Sequence, residues 1–204
     1  MQLPKSYNDL TVKQFQQASL ILKEETDILE RHVKLIACVT GCDISWVESH
    51  TPAQITEMCK GLDFISIPDL SKTIKKWVVS NKRVYRPIIG AEKLTAGQLI
   101  ALKYYEEKSN GSQKFLHQQL ACIFCDIDKF GRAKKYDAKE HDRIAHDLQY
   151  ARLGDVYGPL FFYSNVLEKL SPVMEIYLKQ ANETIQEILP EVMEWAKEQG
   201  LKVS

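Results

Sequence analysis

One short pattern occurs twice in this chain and sets where two helices begin. Leu10-Thr11-Val12-Lys13-Gln14-Phe15 is followed, 84 residues later, by Leu94-Thr95-Ala96-Gly97-Gln98-Leu99. In each copy a Thr precedes a Gln by three residues, which is the spacing of a capping box that satisfies backbone N–H groups of the first helical turn. The flanking apolar residues occupy the hydrophobic-staple positions.

The same offset relates a second pair of segments. Ile36-Ala37-Cys38-Val39 aligns with Leu120-Ala121-Cys122-Ile123. The common register favours duplication of a helical unit, with copies over 3–65 and 88–150. Convergence of two good helix starts is the alternative, and the residues leave it open.

Helical periodicity covers most of the chain. The predicted fold is mainly α: a single helical domain over 1–204, built from two related helical units and one small β-hairpin. A C-terminal helical extension is predicted over 155–200. Helices are expected over Thr11–Lys23, Asp27–Thr40, Thr51–Gly61, Thr95–Lys108, Ser112–Phe124, Asp137–Ala151 and Val156–Leu170.

The hairpin is predicted over 75–88, where two short β-type runs flank Ser80-Asn81-Lys82. A two-stranded ribbon is marginal alone, so it must pack on the helices or on a partner. Strand addition is one way in which such a ribbon docks. The predicted partner-binding residues are Trp77, Val79, Val84, Tyr85 and Arg86.

Charge and hydropathy exclude some function classes. Basic and acidic residues are equal in number, at 27 each. This balance argues against nucleic-acid binding by bulk electrostatics and favours self-association. We expect no signal peptide, because the first residues lack an apolar run, and no segment approaches the length of a membrane span.

The five cysteines are expected to be reduced thiols on helix faces. Cys38 and Cys42 are spaced CxxxC, Cys122 and Cys125 form a CxxC, and His117 lies nearby. A zinc site would need a second matched pair or two histidines at ligand spacing, so buried thiols are the preferred interpretation.

Two further clusters are candidate sites. His141, Asp142, His146 and Asp147 form an HDxxxHD pattern, but its histidines are five residues apart rather than the four used by helical zinc sites. The basic loop Lys129–Lys135 offers phosphate contacts, but a solvated loop is the simpler reading. No phosphate-binding, dinucleotide-binding or nucleophile-elbow motif occurs. We predict no catalytic residue, no metal ligand and no cofactor.

The order of these signals resembles a group of small structural-module proteins of tailed bacteriophages, especially those of Bacteroidetes hosts. The matching segments are Leu3-Pro4-Lys5-Ser6, Leu10-Thr11 with Gln14, the helix Ile28 to Gly41, Tyr85-Arg86, Leu94 to Gln98, Tyr136-Asp137 and Gly158-Pro159-Leu160-Phe161-Phe162. The resemblance extends to about Leu170 and rests on capping and packing residues.

The resemblance implies a tail-assembly chaperone or a small virion component. Such a protein would be non-enzymatic, would bind other phage structural proteins in several copies, and would be found in the host cytoplasm during assembly or in the virion. The alternatives are a protein-binding adaptor or regulatory module and, less favoured, a metal-dependent hydrolase.

Overall fold

The computed structural model describes residues 3–66, 73–110 and 112–168. The chain divides into two compact units, Met1–Tyr163 and Ser164–Ser204. Residues 164–168 of the second unit are described and are helical. The part of the predicted C-terminal helical extension from residue 169 to 200 lies outside the described residues. The single domain over 1–204 therefore stays a prediction.

The first unit is mainly helical and carries a small antiparallel sheet, which confirms the predicted fold class. Its helices are α1 (Val12–Glu24), α2 (Ile28–Thr40), α3 (Ile44–Glu48), α4 (Pro52–Lys60), α5 (Ala96–Ser109), α6 (Leu116–Ile123), α7 (His141–Leu148) and α8, which begins at residue 153. The strands are β1 (Val78–Ser80), β2 (Arg83–Pro87) and β3 (Phe124–Asp126).

The repeated capping boxes are present as predicted. In α1 and α5 the Thr hydroxyl accepts the backbone N–H of Gln14 or Gln98, and the Gln side chain accepts the backbone N–H of the Thr. A third box of the same kind, Thr51 with Gln54, begins α4. Gly41 ends α2 in the left-handed region at φ 71°, where glycine has no steric penalty.

Both copies of the repeat also make a similar longer-range contact. The side-chain amide of Gln14 donates to the carbonyl of Val39 near the end of α2, at 3.0 Å. The amide of Gln98 donates to the carbonyl of Cys122 near the end of α6, at 2.8 Å. Each box therefore ties the start of one helix to the end of the next. The 84-residue offset pairs Val39 with Ile123 rather than with Cys122, so the two contacts are one residue out of register, and the repeat itself stays a prediction.

Two helix starts differ from the sequence-based expectation. Helix α6 begins at Leu116 rather than beside Ser112, because the Ser112 hydroxyl donates to the carbonyl of Ser109 instead of capping the helix. Helix α8 begins at residue 153 rather than at Val156, so that Gly154 lies inside it. A β-carbon at Gly154 would lie 1.8 Å from Oδ1 of Asn8, so a larger residue here would displace the Asn8 side chain.

The hairpin was predicted and the third strand was not. Strands β1 and β2 pair through Val78–Tyr85 and Ser80–Arg83, leaving a two-residue turn. Both turn residues have positive φ, Asn81 at 46° and Lys82 at 62°, as a type I′ turn requires. Strand β3 pairs with β2, so the sheet order is β1-β2-β3.

The core lies where α6 packs against α1, α5 and α7. Its largest fully buried apolar side chains are Leu10, Ile36, Tyr85, Leu102, Leu116, Leu120, Ile123, Phe124, Leu148, Leu153 and Tyr163. The start of α1 is held to the connection between α7 and α8 by two backbone hydrogen bonds, in which Val12 donates to Ala151 and Leu153 donates to Leu10. Among the described residues, no helix has the length and apolar character needed to cross a membrane.

Candidate docking surface

The hairpin is locked onto α7 by a buried polar cluster. The Tyr85 side chain is fully buried, and its hydroxyl donates to the carboxylate of Asp147. From the turn, Asn81 donates its side-chain amide to the other carboxylate oxygen at 2.6 Å, and the hydroxyl of Ser80 donates to the Asp147 backbone carbonyl. One residue of α7 therefore holds three residues of the hairpin.

Arginines balance the charge of Asp147. Arg143 donates to Asp147 at 3.3 Å and also pairs with Asp126 of β3 and with Glu140. Arg83 lies 3.6 Å from the same carboxylate. Burial alone would raise the pKa of Asp147, but the hydrogen bonds from Tyr85 and Asn81 outweigh burial and hold its pKa below the usual value. Asp147 is therefore a charged anchor for the sheet.

The outer side of the hairpin is apolar and exposed. Val79 is 68% exposed at the middle of β1, and Trp77 is exposed just before this strand. Strand β1 is an edge strand, and among the described residues no strand pairs with its outer side. An exposed edge with apolar side chains can take an added strand from another chain.

Four of the five predicted contact residues are exposed or half-buried. Trp77 and Val79 are exposed, whereas Val84 and Arg86 are half-buried. Tyr85 is the exception: its side chain is buried and bonded to Asp147 inside the chain, so it supports the hairpin and presents no surface to a partner. The strand alternation between Val84 and Tyr85 explains the difference, because neighbouring side chains point to opposite faces.

A groove of about 780 Å³ lies beside the hairpin. We call it the basic groove, since six of its lining residues are cationic: Lys75, Lys76, Arg86, Lys93, Lys134 and Lys135. Among the described residues that line it, none is acidic. Its apolar lining is mainly aliphatic, from Ile74, Pro87, Ile88 and Ile89. The groove thus combines positive charge with an apolar surface.

Most of the groove's charge is not neutralised within the chain. Among the described residues, Lys75 is the one groove cation that forms an ion pair, with Asp155 at 2.6 Å. Lys76 and Arg86 lie over the ring of Trp77, 5.4 Å and 5.6 Å from its centroid. Such cation–π contacts leave the positive charge available to an anionic group.

The loop that follows β3 forms one wall and is held in shape by Asp128. Its carboxylate accepts the backbone N–H groups of Phe130 and Arg132, at 2.8 Å and 2.9 Å. These hydrogen bonds lower the pKa of Asp128, and the one from the backbone N–H of Arg132 has the largest effect. Gly131 has φ 75° and lies against Trp77, where a β-carbon would be 3.6 Å from the ring. The loop and the hairpin therefore form one surface.

The cysteines do not form a reactive site. The predicted helical CxxC is divided, with Cys122 in α6 and Cys125 in β3, because the chain leaves the helix at Phe124. Burial raises the pKa of Cys38 to about 11, of Cys122 to about 12 and of Cys125 to about 11. Since the thiolate is the nucleophile, these thiols are poorly reactive at neutral pH.

The HDxxxHD residues do not converge either. His141 and Asp147 are buried, whereas Asp142 and His146 are exposed. The Nδ1 atom of His141 is 3.0 Å from the hydroxyl of Tyr136, and His117 bonds to Gln16 rather than to a cysteine. Within residues 3–66, 73–110 and 112–168, no group of three or more His, Cys, Asp or Glu side chains could hold a metal ion.

Comparisons with known proteins gave no relatives. No protein-family model matches the sequence, and searches of the curated proteins and of the solved structures found no match.

Proposed function

We propose that this chain is a non-enzymatic bacteriophage assembly or virion structural protein that acts through protein–protein contacts in tail or neck assembly. The observation that carries the proposal is the exposed apolar edge of β1, held rigid by the buried bond between Tyr85 and Asp147. The order of sequence motifs, which resembles that of small phage structural proteins, supplies the biological setting.

A flexible ribbon binds a partner weakly, because ordering the ribbon on binding costs free energy. Here Asn81, Tyr85 and Ser80 fix the hairpin before any partner arrives. Val79 and Trp77 then present apolar surface next to unpaired backbone groups of an edge strand. A partner that adds a strand gains main-chain hydrogen bonds and a place for alternate side chains.

Native mass spectrometry of the purified protein, mixed with phage tail and neck proteins one at a time, tests the proposal. We expect a stoichiometric complex with at least one of them. Val79→Lys should weaken this complex, because it places a charge at the centre of the apolar edge. Lys82→Glu, at the exposed turn of the same hairpin, is the matched control and should bind as the wild type does.

A chain that binds none of the tail or neck proteins would contradict the proposal. So would a complex that Val79→Lys leaves unchanged, since the contact would then lie away from β1. Capture of a defined non-structural protein, again sensitive to Val79→Lys, would favour an adaptor or regulatory module instead.

A further inference from the structure

A second exposed apolar surface lies far from the hairpin in sequence, around the start of α2. Ile28, Leu29, Ile44 and Trp46 are all large apolar residues with exposed side chains, and Ile28 is 62% exposed. Ile28, Leu29 and Ile44 line concave surfaces formed by α2, α3 and the start of α4, one of about 480 Å³ and one of about 530 Å³, and Trp46 is exposed on the same short helix as Ile44. We call this surface the α2–α4 patch.

The α2–α4 patch is negatively charged. Asp27, Glu30 and Glu48 line it, together with one cation, Lys34. The ammonium of Lys34 is already paired with Glu25 and with Glu30, the latter at 2.7 Å. The apolar side chains of the patch are therefore bordered by carboxylates that exceed the available positive charge.

The α2–α4 patch and the basic groove are complementary in charge and alike in apolar character. The groove has six cations and no acid among its described lining residues, and its apolar residues are aliphatic. The patch offers isoleucine and leucine side chains with acidic residues around them. The two surfaces share no lining residue, so one molecule can use both at once.

We propose that the basic groove binds the α2–α4 patch of a second copy of this chain, so that copies associate head to tail. Each copy of the chain carries both the groove and the patch, so a second copy is a sufficient partner for each surface. Overall neutrality helps, because a chain with equal numbers of acidic and basic residues has little net repulsion between copies. Opposite potentials across an interface also suppress the wrong pairings of groove with groove or patch with patch.

A nucleic-acid strand fits the groove less well. Proteins that bind single strands stack the bases on aromatic side chains. The apolar lining of the groove is mainly isoleucine and proline, with Tyr136 as its one aromatic lining residue among those described. Aliphatic surface suits the side chains of another protein, and the cations then select an acidic surface.

The consequence of a head-to-tail contact is growth beyond two copies. Such a heterologous interface leaves one groove and one patch unfilled at the ends, so it makes a ring where the rotation closes and an open filament where it does not. The inference rests on the proposed function for its biological role, since assembly proteins act in several copies. Its physical basis is independent of any other phage protein.

Sedimentation velocity over a range of protein concentrations tests the inference with two variants that each block one surface. The patch variant is Ile28→Lys with Leu29→Lys, and the groove variant is Ile74→Arg with Ile89→Arg. Each should associate at least about tenfold more weakly than the wild type. In the patch variant two lysines face the cations of the groove, and in the groove variant two long arginine side chains replace the isoleucines and fill the aliphatic part of the groove. A control, Ile100→Lys with Tyr104→Lys on exposed positions of α5, should associate as the wild type does.

Mixing the two blocked variants gives the decisive result. The groove of the patch variant is intact, and so is the patch of the groove variant, so one contact can form between them. The two altered surfaces are both cationic and cannot pair. We therefore expect a one-to-one dimer that does not grow further, and weaker association of the wild type at high salt, where charge is screened over about 3 Å at 1 M.

Several outcomes would overturn the inference. A wild type that stays monomeric at all concentrations would do so, as would a mixture that stays monomeric. If the groove variant alone still dimerises, the contact is patch to patch; if the patch variant alone does, it is groove to groove. Self-association without binding to any tail or neck protein would support this inference and contradict the proposed function, whereas a monomer that binds such a protein would do the reverse.

Discussion

The Tyr85 hydroxyl donates to the carboxylate of Asp147, which joins β2 to α7 across 62 residues of chain. Both side chains are buried, and the contact is extended by Asn81 from the turn and by Arg143 from the preceding turn of α7. The small sheet is therefore fixed to the helical body by charge and hydrogen bonds as well as by apolar packing. The position of every exposed hairpin residue depends on this cluster.

Asp147→Ala should destabilise the protein by about 3 kcal/mol, the lower end of the cost of breaking a buried ion pair. The low end applies because Arg143 keeps Asp126 and Glu140 as partners and still donates to the Tyr85 hydroxyl, whereas Tyr85 and Asn81 lose the carboxylate to which they donate. Tyr85→Phe, which removes the hydroxyl's bonds with both Asp147 and Arg143, should cost about 1–3 kcal/mol. Urea unfolding measures both, and Asp142→Ala, exposed on the same helix, is the control. Equal stability of Asp147→Ala and Asp142→Ala would contradict the anchoring role.

The same anchor predicts the response to acid. Hydrogen bonds hold the pKa of Asp147 below its ordinary value, so its contribution is fully present above the unfolded-state pKa, near pH 4, and is lost as pH falls through the folded-state pKa. Asp147→Asn should therefore show a smaller loss of stability below pH 4 than the wild type. Identical acid unfolding curves would contradict this assignment.

Local signals allowed much of the fold to be predicted. The capping boxes at Thr11, Thr51 and Thr95 begin helices within a residue of the predicted positions, and Gly41 ends α2. These features depend on hydrogen bonds within one helical turn, which sequence spacing specifies directly. The hairpin turn at Asn81 and Lys82 is local in the same sense.

The third strand and the anchor could not be predicted in this way. Residues 124–126 directly follow the apolar residues of α6. They form β3 because they pair with the free edge of β2. Asp147 belongs to the HDxxxHD pattern, and nothing near it in sequence shows that its carboxylate meets the hydroxyl of Tyr85. The basic groove likewise combines residues from 74–98 with residues 125–136. The sequence shows the basic loop Lys129–Lys135, but it does not show which distant residues lie beside this loop in the fold.

The three capping glutamines should differ in their contribution to stability. Gln98 and Gln14 each cap a helix and also donate to a carbonyl of the next helix, whereas Gln54 caps α4 from an exposed position. Gln54→Ala should cost about 0.5–1 kcal/mol, as for loss of a cap. Gln98→Ala and Gln14→Ala should cost about 1–2 kcal/mol more, since a partly or fully buried carbonyl loses its donor.

Chemical denaturation of the three single variants measures this order. The comparison controls for the cap itself, because all three glutamines accept a backbone N–H from a threonine three residues earlier. Equal costs at the three positions would show that the interhelical bonds contribute nothing. A similar excess at Gln14 and Gln98 would agree with a duplicated unit.

Two histidines should make the fold sensitive to mildly acidic pH. Burial lowers the pKa of both His117 and His141, and the nearby His141 lowers that of His117 further. Nδ1 of His117 accepts from the amide of Gln16 at 2.9 Å, so protonation there would oppose this bond. The stability that depends on neutral imidazoles is complete above the unfolded-state pKa near 6.5 and is lost as pH falls below it, by at most about 1.4 kcal/mol per pH unit for each histidine.

Thermal or urea unfolding between pH 7.5 and pH 5 measures this loss. His117→Gln combined with His141→Phe should flatten the pH dependence in this range, whatever its effect at pH 7.5. His50→Gln, on the loop between α3 and α4, should keep the wild-type slope. A double variant with an unchanged slope would assign the acid sensitivity to other groups.

Thiol modification should follow burial rather than the CxxC spacing. Burial raises the pKa of Cys122 to about 12 and of Cys125 to about 11, so the thiolate fraction at pH 8 is below about 1% for both. Iodoacetamide labelling followed by peptide mass spectrometry should find Cys122 the slowest of the five cysteines in the folded protein and all five equally reactive in urea. Addition of zinc should leave the labelling rates of Cys122 and Cys125 unchanged. Rapid labelling of Cys122 in the native state would contradict the buried position of this thiol in α6. Protection of Cys122 by zinc would restore the CxxC as a candidate metal site.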